Sequence, residues 1–275
     1  MVDALIDACG VVVAYGGQRG SFGKRLPAKP VLHGIDLTIG RGETVGIVGE
    51  SGSGKTTLGR AMLGLVAPSS GSIRFDGQEI AGLDEAAMRP LRRRMQMIFQ
   101  DPMSSLNPRR AIRHILVDPL LLHGLANNRA EAETRVRAVL DRVGLPVTAL
   151  DRYPHELSGG QRQRVGIARA VVLAPDFVLA DEIVSGLDVS TQAQVLKLLG
   201  ELKREMGLSM AFISHDLSVV RAVCDRVYVL SEGRVVEEGA CEALFAAPQD
   251  AYTRTLIDAI PLPVIDRGWL GRQRA

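Results

Sequence analysis

Short apolar runs recur along the chain, set between longer stretches of mixed polarity. The run Glu43-Thr44-Val45-Gly46-Ile47-Val48-Gly49 has the pattern of a buried strand and leads into a glycine-rich turn. Residues 54–66 favour a helix, stopped by Pro68 and Gly71. Residues 72–77 and 95–100 read as further strands. Over residues 129–143 the spacing puts Ala132, Val136, Val139, Leu140 and Val143 on one helical face, closed by Gly144 and Pro146. Residues 177–180, 210–213 and 226–230 are short apolar strands separated by helical stretches. This alternation predicts βαβ units and a mainly parallel sheet. Strand signals fade over about residues 101–166, which predicts a helical insert. Residues 16–30, rich in Gly, Lys, Arg and Pro, read as a surface loop, and the stretch beyond Pro261 as a loosely held tail. There is no internal repeat and no low-complexity linker.

Composition narrows the classes without choosing among them. A chain of 275 residues accommodates one large α/β domain with a smaller subdomain, and 46% apolar residues suffice for a full core. With 33 basic and 31 acidic residues the net charge is +2, so no whole-chain charge points to nucleic acid. Cys9, Cys224 and Cys241 fit neither a metal spacing nor a disulfide framework and read as cytosolic thiols. Residues 1–10 hold two aspartates and no basic stretch, so a secretory signal is not expected. No run approaches the roughly 18–20 apolar residues of a membrane span. A soluble chain is expected, with any spanning segments on another polypeptide.

Three motifs carry chemistry. Gly49-Glu50-Ser51-Gly52-Ser53-Gly54-Lys55-Thr56 is a complete phosphate loop between a strand and a helix. Its glycines let backbone N–H groups turn inward around phosphate oxygens, and the helix adds its positive end. Lys55 would reach the β and γ phosphates, and the Thr56 hydroxyl would coordinate Mg²⁺. Asp181-Glu182 ends an apolar strand; Asp181 is placed for the Mg²⁺ shell and Glu182 to polarise a water. The competing reading, two solvated acids after a strand, is outweighed by the phosphate loop upstream. Leu157-Ser158-Gly159-Gly160-Gln161 is a second glycine-rich turn before a helix, with no lysine of its own. Both half-sites in one chain point to ATP held between two copies.

In this order and spacing, the three motifs resemble those of the nucleotide-binding subunit of an ATP-binding-cassette transporter, over roughly residues 5–262. The resemblance implies an α/β P-loop NTPase with a mainly parallel core sheet, an antiparallel β subdomain and a helical subdomain over about residues 101–168. It implies one ATPase domain over residues 1–262 and a short tail over 263–275. The nucleotide would be held by Gly49, Glu50, Ser51, Gly52, Ser53, Gly54, Lys55, Thr56 and Thr57. Tyr15 would stack on adenine, with a core tyrosine as the competing reading. Ser158, Gly159, Gly160 and Gln161 would meet the γ-phosphate bound by the opposite subunit, while Arg162 and Arg164 read as a solvated or salt-bridged helix face. Gln100 matches the glutamine that senses Mg²⁺ and the attacking water. It would share the metal with Thr56 and Asp181; alone it would read as surface polar. Asp188, in Ser185-Gly186-Leu187-Asp188, would cross the dimer interface, cap a helix, or do both. His215 matches the switch histidine, whereas His33, His114, His123 and His155 match no catalytic motif. Glu182 would be the general base. One departure stands out: Ile183 occupies the place where the family usually has proline.

Residues 101–110, directly after Gln100, resemble the segment characteristic of importers for peptides and nickel. Phe22-Gly23-Lys24-Arg25-Leu26-Pro27 and Pro248-Gln249-Asp250-Ala251-Tyr252-Thr253-Arg254 resemble the second ATPase subunit of dipeptide and oligopeptide importers. The implied cofactors are ATP and Mg²⁺. The implied partners are a second ATPase subunit (a paralogue or an identical copy), two transmembrane permeases and, indirectly, an external solute-binding protein, with no nucleic acid. The implied location is peripheral, on the cytoplasmic face of the inner membrane. Peptide is the first choice of cargo, and nickel or another small solute the second. No cysteine cluster follows, so no iron–sulfur centre is expected. A soluble cassette ATPase acting on DNA fits poorly, because about a hundred residues between Lys55 and Ser158 leave no room for a long coiled coil. One acting on ribosomes generally has two cassettes. A phosphate-loop kinase would leave residues 157–161 and His215 unexplained.

Overall fold

The computed structural model describes residues 4–16, 29–101 and 105–260. At its centre lie β3 (Thr44–Val48), β7 (Phe177–Asp181) and β8 (Ser209–Ile213), buried at every position. Burial on both faces is why these segments read as unbroken apolar runs. They join β6 (Met95–Ile98), β9 (Arg226–Ser231) and β10 (Arg234–Ala240) in one sheet of order β10-β9-β3-β8-β7-β6. All its pairings are parallel except that of β10, which closes the edge antiparallel to β9.

Side chains alternate between two cores with the strand period of two. Phe177, Leu179, Ala211, Ile213, Tyr228 and Leu230 point into one core, shared with helix α1 (Lys55–Met62) and a second sheet. Val178, Ala180, Met210, Phe212, Val227 and Val229 point into the other. The second sheet has the order β2-β1-β4-β5, from β1 (Ala4–Tyr15), β2 (Lys29–Gly40), β4 (Ser70–Phe75) and β5 (Gln78–Glu79), all antiparallel.

Helix α2 (Glu85–Arg94) precedes β6. The expected helical insert follows it, with α3 (Ile112–Leu122), α4 (Arg129–Arg142) and two short 3₁₀ turns leading to α5 (Gly159–Val171). Asn128 caps α4, its side-chain oxygen accepting from the Glu131 N–H at 2.9 Å. Ala132, Val136, Val139, Leu140 and Val143 are all buried, as the spacing predicts. Helices α6 (Val189–Met206), α7 (Leu217–Val223), α8 (Cys241–Ala246) and α9 (Ala251–Asp258) complete the fold.

Two expected strands are shifted or shortened. The one expected at 72–77 is β4, which ends at Phe75 because Asp76 and Gly77 take positive φ for the turn into β5. The one expected at 95–100 ends at Ile98, leaving Phe99 and Gln100 exposed beyond the sheet. Lys29 and Pro30, expected in a loop, open β2. The rest of that loop from residue 17 on, including the segment 22–27, lies outside the described residues, as do 102–104 and the tail beyond Ile260.

Candidate active site

The phosphate loop springs from the end of β3. Gly49 has φ +144, and a Cβ there would lie 2.1 Å from the Leu230 carbonyl oxygen, so only glycine fits. Behind the loop, the Gly233 N–H donates to the Ser53 carbonyl at 3.0 Å, and the His33 N–H donates to the Gly233 carbonyl at 2.9 Å. The turn between β9 and β10 is thus clamped between the loop and β2. A Cβ on Gly233 would meet the Val31 carbonyl oxygen at 2.1 Å.

Lys55 is 5% exposed, and its Nζ donates to the carbonyls of Gly49 and Glu50, both at 2.7 Å. Burial lowers its pKa, against the opposing pull of the Glu182, Asp181 and Glu50 carboxylates. Gly54 gives α1 no side-chain cap, so its leading N–H groups face the loop without a side-chain partner. An anion is the natural complement of such a helix end. The adjoining cleft, about 210 Å³, is lined by Val31, Ser51, Gly52, Gly54, Lys55, Thr56, Thr57 and Glu182. Tyr15 stands exposed near it, its hydroxyl 3.5 Å from the Thr57 hydroxyl, which sets aside the core reading.

Three carboxyl ends of adjacent parallel strands bring the reactive groups together, where α/β sheets commonly bind ligands. Asp181 ends β7, is 6% exposed and accepts from the Thr56 hydroxyl at 3.3 Å. Burial pushes its pKa up; the Thr56 hydrogen bond works against this, and Glu182 adds to it. A bound cation would relieve that cost, so the Thr56–Asp181 oxygen pair fits a metal. Among the described residues no group of three or more His, Cys, Asp or Glu could hold one. A cation here would therefore draw on the hydroxyl and on ligand oxygens. Beyond β6, Gln100 donates from Nε2 to Glu182 Oε2 at 3.1 Å. Beyond β8, His215 Nδ1 lies 3.5 Å from the same oxygen. Glu182 itself sits at φ +49, its N–H donating to the Ile213 carbonyl at 2.9 Å.

The Ser158–Gln161 turn is built differently. Ser158 Oγ accepts from the Gln161 N–H at 3.3 Å, and Gln161 Oε1 accepts from the Ser158 N–H at 3.0 Å, a reciprocal capping box for α5. Ser158 and Gly159 are exposed. Gly159 lines a separate cleft of about 300 Å³, with Gln100, Asp101, Arg162, Gln163, Ile183, Ser185 and Leu187. Arg162 and Arg164 are not a solvated face. Both are half-buried, donating to the Leu157 carbonyl at 2.6 Å and the Val143 carbonyl at 2.5 Å. Asp188 caps α6, accepting from the Thr191 N–H at 2.9 Å and from the Ser190 and Thr191 hydroxyls at 2.6 and 2.7 Å. Those bonds hold its carboxyl well below the usual carboxylate range.

Sequence reasoning passed over Gln163. It is 1% exposed, and its Nε2 donates to the Ile183 carbonyl at 2.9 Å. Its signal was periodicity: Gln163 lies one turn before buried Ile167, on the apolar side of α5.

Residues 32–185 match the family model described as ABC transporter, more than half of the chain. The chain belongs to the ABC transporter family. It is 54% identical over 233 residues to a putative peptide import ATP-binding protein of Brucella ovis, covering 85% of this chain and 73% of that one. It is 48% identical over 232 residues to the oligopeptide transport ATP-binding protein OppF of Escherichia coli, covering 84% and 70%. Among solved structures, the dimeric cassette MJ0796 in a post-hydrolysis state bound to ADP and Pi superposes with TM-score 0.76 at 29% identity. That match covers 86% of this chain and 98% of that one. As an ABC transporter ATPase, the chain binds and hydrolyses ATP.

Proposed function

We propose that this chain is the ATP-hydrolysing, energy-coupling subunit of a binding-protein-dependent importer, with peptides as cargo. The observation that carries the reading is the convergence of Gln100 and His215 on one oxygen of Glu182, beside the Lys55 and Thr56 cleft. Lys55 and the α1 N-terminus bind the phosphates, Tyr15 flanks the base, and Glu182 takes the proton of the attacking water. Thr56, Asp181 and Gln100 are the residues that would hold Mg²⁺, whose charge would neutralise the phosphate oxygens. The relatives named for peptide and oligopeptide import support the cargo.

The exposed Ser158–Gln161 turn meets the γ-phosphate of a partner ATPase, and Asp188 lies at that interface. Closure of the pair, and reopening after hydrolysis, drives two membrane permeases between inward- and outward-facing states. The chain works peripherally at the cytoplasmic face of the inner membrane, with an external binding protein delivering the cargo. A groove of about 580 Å³ on the helical insert, lined by Arg110, Ile115, Leu121 and Leu122, suits a helix of the permease. Leu122 is 63% exposed there.

Glu182→Gln tests the chemistry. Turnover should fall about a hundredfold or more while ATP still binds. Hydrolysis at near wild-type rate would remove Glu182 from the general-base role.

A further inference from the structure

We propose that Gln163 is a positioning residue for hydrolysis, tying the helix that bears Ser158–Gln161 to the backbone that holds Glu182. The proposal rests on the reading of Glu182 as the general base.

A buried primary amide is costly unless it is hydrogen-bonded, and Gln163, at 1% exposure, directs its Nε2 to one acceptor, the Ile183 carbonyl. That carbonyl belongs to the residue directly after Glu182. Glu182 has φ +49, a left-handed conformation that a residue with a Cβ holds only when its surroundings impose it. The surroundings do so from both sides. Before it, the Glu182 N–H is fixed to the Ile213 carbonyl of β8 at 2.9 Å; after it, the Ser185 N–H donates to the Glu182 carbonyl at 3.0 Å. Ile183 carries no proline ring to fix its own φ, and it is held by burial, at 1% exposure, and by Gln163.

At its other end, Gln163 is two residues from Gln161, within the first turn and a half of α5, where Gln161 closes the capping box with Ser158. Arg162, between them, holds the Leu157 carbonyl at 2.6 Å. The turn and the start of α5 therefore move as one piece, and Gln163 connects that piece to Ile183. The 300 Å³ cleft beside this link, reached also by Gln100 and Asp101, leaves room for the piece to shift. The consequence concerns two sites at once. A turn that completes the partner's nucleotide site is bonded, through Gln163, to the residue directly after the glutamate of its own chain. Engagement at one site thus sets the geometry of the base at the other.

Gln163→Met and Gln163→Glu in the full chain test this, with kcat, KM for ATP, ATP affinity and thermal midpoint measured together. Methionine keeps the volume and removes the donor, so kcat should fall about tenfold with ATP affinity within about twofold of wild type. Glutamate sets an acceptor against the Ile183 carbonyl and should lose more than methionine. Should Gln163→Met not fold, Gln163→Asn, which withdraws the amide by one methylene, carries the same expectation. Variants with kcat within about twofold of wild type overturn the proposal. So does a fall in kcat that runs in step with weaker ATP binding and a lower thermal midpoint, since that is loss of structure. Glu182→Gln measured alongside separates the two readings: if it keeps its turnover, the general-base reading fails. If it is inactive while the Gln163 variants are normal, only the present proposal fails.

Discussion

The phosphate loop and the Ser158–Gln161 turn are both glycine-rich approaches to a helix, yet they are completed in opposite ways. Around the loop, distant parts of the chain converge: Lys55 is held by two carbonyls, Thr56 by Asp181, and Ser53 by Gly233 from behind. The turn bonds to itself through its capping box and to its own helix, and its outer side is exposed. Both offer N–H groups to an anion, but only the first brings a buried cation with it. A site with its charge and its walls in place can bind alone. A preformed turn whose neighbouring Arg162 is already bonded to the Leu157 carbonyl adds donors to a ligand that something else already holds.

Three measurements would break or sharpen this contrast. The largest effect is expected from Lys55→Ala, which removes the cation and frees two carbonyls. ATP binding by the single chain and hydrolysis should both fall about a hundredfold or more, by nucleotide titration and phosphate release. Retained binding would mean that the loop is not self-sufficient. Ser158→Ala should leave single-chain ATP affinity unchanged, cost about 1 kcal/mol of stability through the lost cap, and lower turnover of the paired ATPases about tenfold. Equal losses in the single chain and in the pair would erase the distinction. The smallest effect concerns Asp188, whose folded pKa is depressed by its cap bonds. A depressed carboxylate stabilises the fold above its unfolded pKa, and that contribution disappears as pH falls through the folded value. Asp188→Ala should therefore lower the thermal midpoint at neutral pH, with the gap to wild type closing in acid.

How much of this could be read in the sequence depended on where the partners of each residue lie. Strands β3, β7, β8 and β9 were legible because both of their faces are covered, so nearly every position is apolar. Strand β1 was not, because register shifts at Ala8/Val11 and Val13/Ala14 break its alternation. Strand β10 was not, because it is a polar edge with no fully buried position. The phosphate loop is contiguous and shows itself in a single string. Gln100, Glu182 and His215 come from three different strand ends; Glu182 was read from the Asp181-Glu182 pair, Gln100 and His215 only through resemblance, and the fold brings the three side chains together. Arg162 and Arg164 misled because arginine usually marks a wet face, whereas here the Leu157 carbonyl at a turn and the Val143 carbonyl at the end of a helix take up their charge. Gln163 went unseen because its partner lies twenty positions away.

Gly233 extends that lesson to anyone who would move this site elsewhere. It supports the loop through Ser53 and leaves no space for a side chain against β2. The transplantable unit is therefore larger than the string Gly49–Thr56. A graft of those residues alone would arrive without the back wall that gives them their shape. The hairpin between β9 and β10 and the strand facing it would have to travel with them.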